Sequence, residues 1–194
     1  MNKVLLIITV LFCQMTFSQT KTPNTLYKKA HQYITHGAYN KSINLLEKAI
    51  ELDSLGNCGT GVNGIAHNEL GYAYLRIQKY ELSRAFFDKS ISLNPKNPDP
   101  RMSKVTSYIL EKNLTKAKIE LDIFIEELPG YPFAYWQRGN ILELEGKMKE
   151  ALIDYRKAIL YNNNLNILPK PIVEKINSKI KAIDSKNLNA VKRN

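Results

Sequence analysis

The chain has 194 residues, a formal net charge of +10 and two cysteines. Its length suits one domain with a continuous core. Once an exported leader is removed, the single remaining cysteine, Cys58, excludes an internal disulfide. The positive charge suits an acidic protein or an anionic surface. The lysines are scattered, however, without the aromatic–basic alternation of single-strand binders, so nucleic acid is not an expected partner.

The first segment, MNKVLLIITVLFCQMTFSQT, has one positive residue, Lys3, then an apolar run from Val4 to Phe12, then a more polar tail. This is the layout of a secretory signal peptide over residues 1–18, with cleavage expected after Ser18. A retained anchor is the alternative, although the run is about half of what a membrane span needs. Cys13 is not read as a lipidation site, because Phe12 stands where a small residue is required.

Downstream, helical periodicity predicts a first helix over Thr25–His36, a turn at Gly37, and a second over Tyr39–Asp53, whose Ile43, Leu45, Leu46, Ala49 and Ile50 make an apolar face. Leu55–Gly64 contains four glycines and cannot continue a helix. It lacks the Lys and Ser/Thr of a phosphate loop and reads as an insertion between repeats. Helices follow over Ile65–Ile77 and Tyr80–Leu93; NPKNPDP then ends one helix and starts the next. Further helices are predicted over Pro100–Glu111, Leu114–Leu128, Phe133–Glu145 and Lys149–Tyr161, with NNNLN as a polar loop. Pro169 and Pro171 open a last helix with Ile172, Val173, Ile176, Ile180 and Ile183 on one side. It is expected to cap the fold over 169–186, leaving 187–194 as a frayed tail.

A 34-residue frame runs through 64–97, 98–131 and 132–165. Its eighth position reads Gly71, Val105, Gly139; twelve residues on stand Ser83, Ala117, Ala151; then Phe87, Leu121, Tyr155; then Ser90, Phe124, Ala158; and a turn residue follows at Pro95, Pro129, Asn163. An upstream block, 23–56, carries Ala30, Tyr33, Ser42, Leu46 and Ala49, offset by 41 residues, so the insertion falls near 55–63. A 34-residue period of this kind marks a helix–turn–helix repeat. Leu70, Gly71, Tyr74, Phe87 and Pro95, with Gly139, Ala151, Tyr155 and Ala158, resemble the tetratricopeptide-repeat family; block 98–131 departs from the pattern at Val105 and Phe124. The resemblance implies an all-α fold: a right-handed superhelix of antiparallel helix pairs with a C-terminal capping helix. It also gives Gly71 a role, since a missing side chain there lets two helices cross closely.

Nothing in the sequence converges on catalysis. His31 and His36, five residues apart on one helix, point about 140° apart. Glu143 and Glu145 point about 200° apart. His67 takes a packing phase. Zinc spacings and paired cysteine motifs are missing, so neither metal nor cofactor is expected and the chain is read as non-enzymatic.

In the resembled family the first helices line a concave groove, which places Tyr27, His31, Asn68, Tyr72, Arg76, Met102, Thr106, Trp136, Gln137 and Asn140 there as a binding surface for a protein or peptide. Tyr27, Tyr72 and Trp136 have packing between helices as their alternative role. The subfamily that grips C-terminal carboxylates uses Lys and Asn where this chain has Tyr27 and His31, and Glu69 and Asp99 fill two further clamp positions, so that mode is not expected. The signal-like start places the chain in a bacterial envelope, with the periplasm first and secretion or outer-membrane association as alternatives. The expected function is a scaffold for another envelope protein or peptide. The rival is a structural or surface-associated protein held to an anionic envelope surface by its basic faces.

Overall fold

The computed structural model describes residues 22–191, with side chains through Ser185; the expected leader, residues 1–18, lies outside the described residues. In chain order the helices are α1 (Pro23–Thr35), α2 (Tyr39–Leu52), α3 (Ile65–Arg76), α4 (Tyr80–Leu93), α5 (Asp99–Leu110), α6 (Leu114–Glu127), α7 (Pro132–Leu144), α8 (Met148–Leu165) and α9 (Lys170–Val191). The first eight form four antiparallel pairs stacked in sequence order, and α9 packs on α8. The result is an all-α solenoid, stabilised by each unit burying its apolar face on its neighbour. No described helix is long and apolar enough to cross a membrane.

Every pair turns the same way. Gly37, Gln78, Lys112 and Gly146 occupy the fifteenth position of their units, and all four have positive φ, from 61° to 76°. The next amide donates back five residues: Ala38 to Tyr33, Lys79 to Tyr74, Asn113 to Tyr108 and Lys147 to Leu142, at 2.8–2.9 Å. These are Schellman turns, which satisfy the last carbonyls of each first helix.

The close crossing expected at Gly71 is present. A Cβ on Gly71 would stand 2.7 Å from two ring carbons of Phe87 and 3.0 Å from the Ser83 carbonyl oxygen; on Gly139 it would stand 2.8 Å from the Tyr155 ring. Phe87 therefore fills the space over Gly71 inside its own unit. The other two units carry a larger eighth residue and a smaller partner: Ala30 is matched with Leu46, and Val105 with Leu121, all buried. Glycine at the eighth position takes an aromatic partner, and a residue with a side chain takes Leu, so bulk gained on one helix is given up on the other.

Two sequence expectations fail near the C-terminus. NNNLN is not a loop up to its last residue, because α8 continues through Leu165 and ends at Asn166 with φ 50°. Asn162 is buried, and its Oδ1 accepts the Leu168 amide at 2.7 Å, so the polar run caps its own exit turn instead of unwinding. The last helix also runs past residue 186, since α9 is helical to Val191, and residues 192–194 lie outside the described residues. Ile176 and Ile183 of α9 are buried with Leu168 against Tyr155 and Leu152, as a cap requires.

The Gly-rich segment is a folded turn. The Asp53 carboxylate accepts the amides of Leu55 (3.2 Å) and Cys58 (2.7 Å), Asn24 donates to the Cys58 carbonyl, and the Cys58 side chain is fully buried. Burial, with the negative charges of Asp53 and Glu69, pushes the thiol up to about 11.

Candidate partner-binding face

First helices of neighbouring units touch directly at the first two junctions, α1 with α3 and α3 with α5. The side chains singled out from the sequence lie along these first helices and α7, and the structure separates them into groups.

Near the first two units, Tyr27 is buried rather than groove-lining, which corrects the sequence reading. The insertion folds over the start of α1, and the Tyr27 hydroxyl donates to Glu69 Oε1 at 2.9 Å. Burial, followed by the Glu69 charge, raises its phenol pKa well above the usual value. His31 is exposed, its ring stacks on Tyr27, and Nδ1 lies 2.6 Å from the same Glu69 oxygen. Glu69 Oε2 and the neighbouring Asn68 Oδ1 are both shielded from solvent without a hydrogen-bond partner. Next along α3, Arg76 donates to the Tyr72 hydroxyl at 2.8 Å and lies over the Tyr39 ring at 5.1 Å. Tyr39, the first residue of α2, was not anticipated as part of this group.

Toward the C-terminal units the face is more apolar. Met102 is half-buried against the core, and the Thr106 hydroxyl is spent on the Met102 carbonyl of its own helix. Trp136 packs edge-on to Phe133, half-buried, and its Nε1 is shielded with no acceptor. It thus takes both roles considered for it, packing with its ring and presenting an unmatched donor. Gln137 is half-buried beside it. Asn140 accepts from the Tyr155 hydroxyl, which also donates to Glu143 at 2.6 Å. Lys179 of α9 reaches both Glu143 and Tyr155. Burial works against the Glu143 carboxylate, but its bonds with Lys179 and Tyr155 win and hold its pKa below the usual range. Asn140 is thereby tied to the cap.

Away from this face runs a set of ion pairs that sequence reasoning missed. Lys104 of α5 lies between Asp88 of α4 (2.8 Å) and Glu120 of α6 (2.9 Å). Arg138 of α7, 34 residues on, lies between Asp122 of α6 and Asp154 of α8, both at 2.7 Å. Burial opposes the charge on Lys104, but the two carboxylates outweigh it and raise its pKa. Arg84–Glu111 and Lys118–Glu145 repeat at the same spacing. The period was the available signal, had it been traced for charge as well as for size.

Among the described residues, no group of three or more His, Cys, Asp or Glu is placed to hold a metal ion.

Comparison with known proteins agrees with this geometry. Family models described as Tetratricopeptide repeat match residues 64–97, 23–54 and 134–165, together about half of the chain. Among solved structures, that of MamA is 22% identical over 81% of this chain and 88% of its own, with a TM-score of 0.64. A tetratricopeptide repeat protein from Parabacteroides merdae is 20% identical over 86% of this chain and 60% of its own, with a TM-score of 0.59. At these identities the likeness shows the fold alone. A search of curated proteins finds no match.

Proposed function

The chain belongs to the tetratricopeptide-repeat family, and from that premise we propose that it is a non-catalytic scaffold holding a partner protein or peptide on the face shared by α1, α3, α5 and α7. One observation carries the reading: Asn68 Oδ1, Glu69 Oε2 and Trp136 Nε1 are shielded polar atoms on that face with no partner. Unpaired polar groups of this kind cost roughly 1–3 kcal/mol each, a cost that a partner relieves when its docking moves the side chains that shield them. Beside them, Tyr72, Arg76 and Trp136 are the residue types in which interface energy concentrates.

The setting we propose is the envelope of a bacterium, reached by export. The layout of residues 1–18 supports it. Mass analysis of the chain from its native host tests this directly: a mature form beginning near Gln19 is expected, and a full-length cytoplasmic chain would overturn it. The partner reading is tested by affinity capture from that envelope, comparing the native chain with a Tyr72→Ala/Trp136→Ala double variant of unchanged helicity. At least one protein is expected to be lost from the variant, with binding that persists at physiological salt. The rival reading rests on Lys170, Lys175 and Lys181, exposed along α9. It predicts attachment that survives the double variant and falls steeply with salt.

A further inference from the structure

His67, near the start of α3, is 3% exposed, and its Nδ1 is shielded from solvent without a hydrogen-bond partner. Whichever nitrogen carries the proton of the neutral ring, that atom is unmatched. The insertion over residues 55–64 lies against this ring. Gly56 is so close that a Cβ there would stand 2.4 Å from Nδ1. The Ala66 amide donates to the Gly56 carbonyl at 3.0 Å, and the Asn24 side-chain amide to the Cys58 carbonyl at 2.9 Å. The insertion is thereby fastened to the starts of α3 and α1, with its Cys58 side chain turned inward and fully buried.

Two features make this cover easy to lift. Its tip, residues 59–63, is exposed, so opening uncovers little besides Cys58 and His67. Cys58 is held at φ 52°, left-handed backbone that a side chain disfavours, and opening releases that strain. The charges around His67 oppose a second proton on the ring. Lys89 of α4 repels it, and residues 54–64 carry no charged side chain to offset that. Asp53, just past α2, attracts it, but the Asp53 carboxylate is engaged by the amides of Leu55 and Cys58. Glu69, two residues along α3, faces Tyr27 and His31 instead. Burial, followed by Lys89, outweighs Asp53 and holds the His67 pKa below the usual histidine value. In an open loop the ring would be solvated and titrate at about 6.5. The closed form is therefore favoured above that pH and loses ground as pH falls below it.

We infer that the insertion is an acid-opened cover at the first unit junction: protonation of His67 lifts residues 55–64 from the start of α3 and exposes the Cys58 thiol, while the helices stay formed. Opening needs no partner, so it stands or falls apart from the binding reading.

The test is the rate at which Cys58 of the full chain reacts with dipyridyl disulfide, read on the Cys58 peptide by mass spectrometry. This reagent stays reactive in acid because its pyridine nitrogens protonate. Dividing by the rate for the urea-unfolded chain at the same pH gives the open fraction. One linked proton should raise that fraction about tenfold between pH 7.5 and 5.5, above the range in which ordinary carboxylates titrate. Far-UV circular dichroism should not change over the same interval. His67→Phe, which cannot titrate, should flatten the response. Lys89→Glu, which places an anion beside the imidazolium, should shrink it. The proposal is overturned if the open fraction of the native chain is flat or falls in acid, if it rises equally in His67→Phe, or if helicity is lost in step with labelling. Should His67→Phe fail to fold, the exposed Lys89 decides: an undiminished rise in Lys89→Glu also overturns the proposal.

Discussion

Gly71→Ala sets two effects of known size against each other. Replacing a mid-helix glycine by alanine in isolation stabilises a helix by about 1 kcal/mol. Here the added methyl would lie 2.7 Å from the Phe87 ring and 3.0 Å from the Ser83 carbonyl oxygen. Ordinary carbon contacts need about 3.5 Å, so the ring must retreat by roughly 0.8 Å. Phe87 is wholly buried and the other obstacle is backbone, so little room exists for that retreat. Overpacking of this kind costs about 1–3 kcal/mol, which outweighs the propensity gain and leaves a net loss of about 1 kcal/mol. The chain itself shows the remedy in its Ala30–Leu46 pair. Gly71→Ala combined with Phe87→Leu should therefore be less destabilised than the sum of the two single changes, with a coupling of at least about 1 kcal/mol. Urea midpoints of the four proteins of the cycle measure this. A stabilised Gly71→Ala, or strict additivity, would refute the reasoning.

Three further outcomes are expected. Gln78→Gly and Lys112→Gly relieve left-handed backbone at φ 61° and 62° and should each raise stability by about 0.5–1 kcal/mol in chemical denaturation. Arg138→Met strands the Asp154 carboxylate, whose side chain is 3% exposed, and should cost about 3 kcal/mol; adding Asp154→Leu should recover most of that in the same assay. Cys58, raised from about 9 to about 11, keeps its proton in the folded chain where the unfolded chain has lost it. Stability should consequently fall as pH rises from 9 to 11, which urea midpoints taken across that window measure.

The fold was readable because its tightest contacts constrain residue size. Gly71 and Gly139 mark helix crossings that admit no side chain, and the turn that follows recurs at one phase. Helix ends were less readable where a polar side chain does structural work. Asn162 looks like loop composition, and only the three-dimensional position of the Leu168 amide turns it into a cap. At the candidate face the sequence could not show the state of the atoms. The phase that selected Thr106 and Asn140 cannot reveal that their polar atoms already have partners inside the protein, or that those of Asn68 and Trp136 do not. Tyr27 was misread because an insertion with no counterpart in the period folds back over it.

The charge pattern at the unit junctions has a bearing on how such an array grows. Block 98–131 offers Lys104 and Glu111 to the unit before it, where they meet Asp88 and Arg84, and Asp122 and Lys118 to the unit after it, where they meet Arg138 and Glu145. Its two ends are therefore complementary to each other. A duplicate of these 34 residues inserted after residue 131 would find both junctions already matched, with the copied Lys104 meeting the original Asp122. The junction between the first two units has no such property, because Leu70 stands where Lys104 and Arg138 do and Tyr27 is fastened to Glu69 instead. The molecule thus has a fixed head and an extensible middle, where whole cassettes can be added at one place with the junction ion pairs already matched.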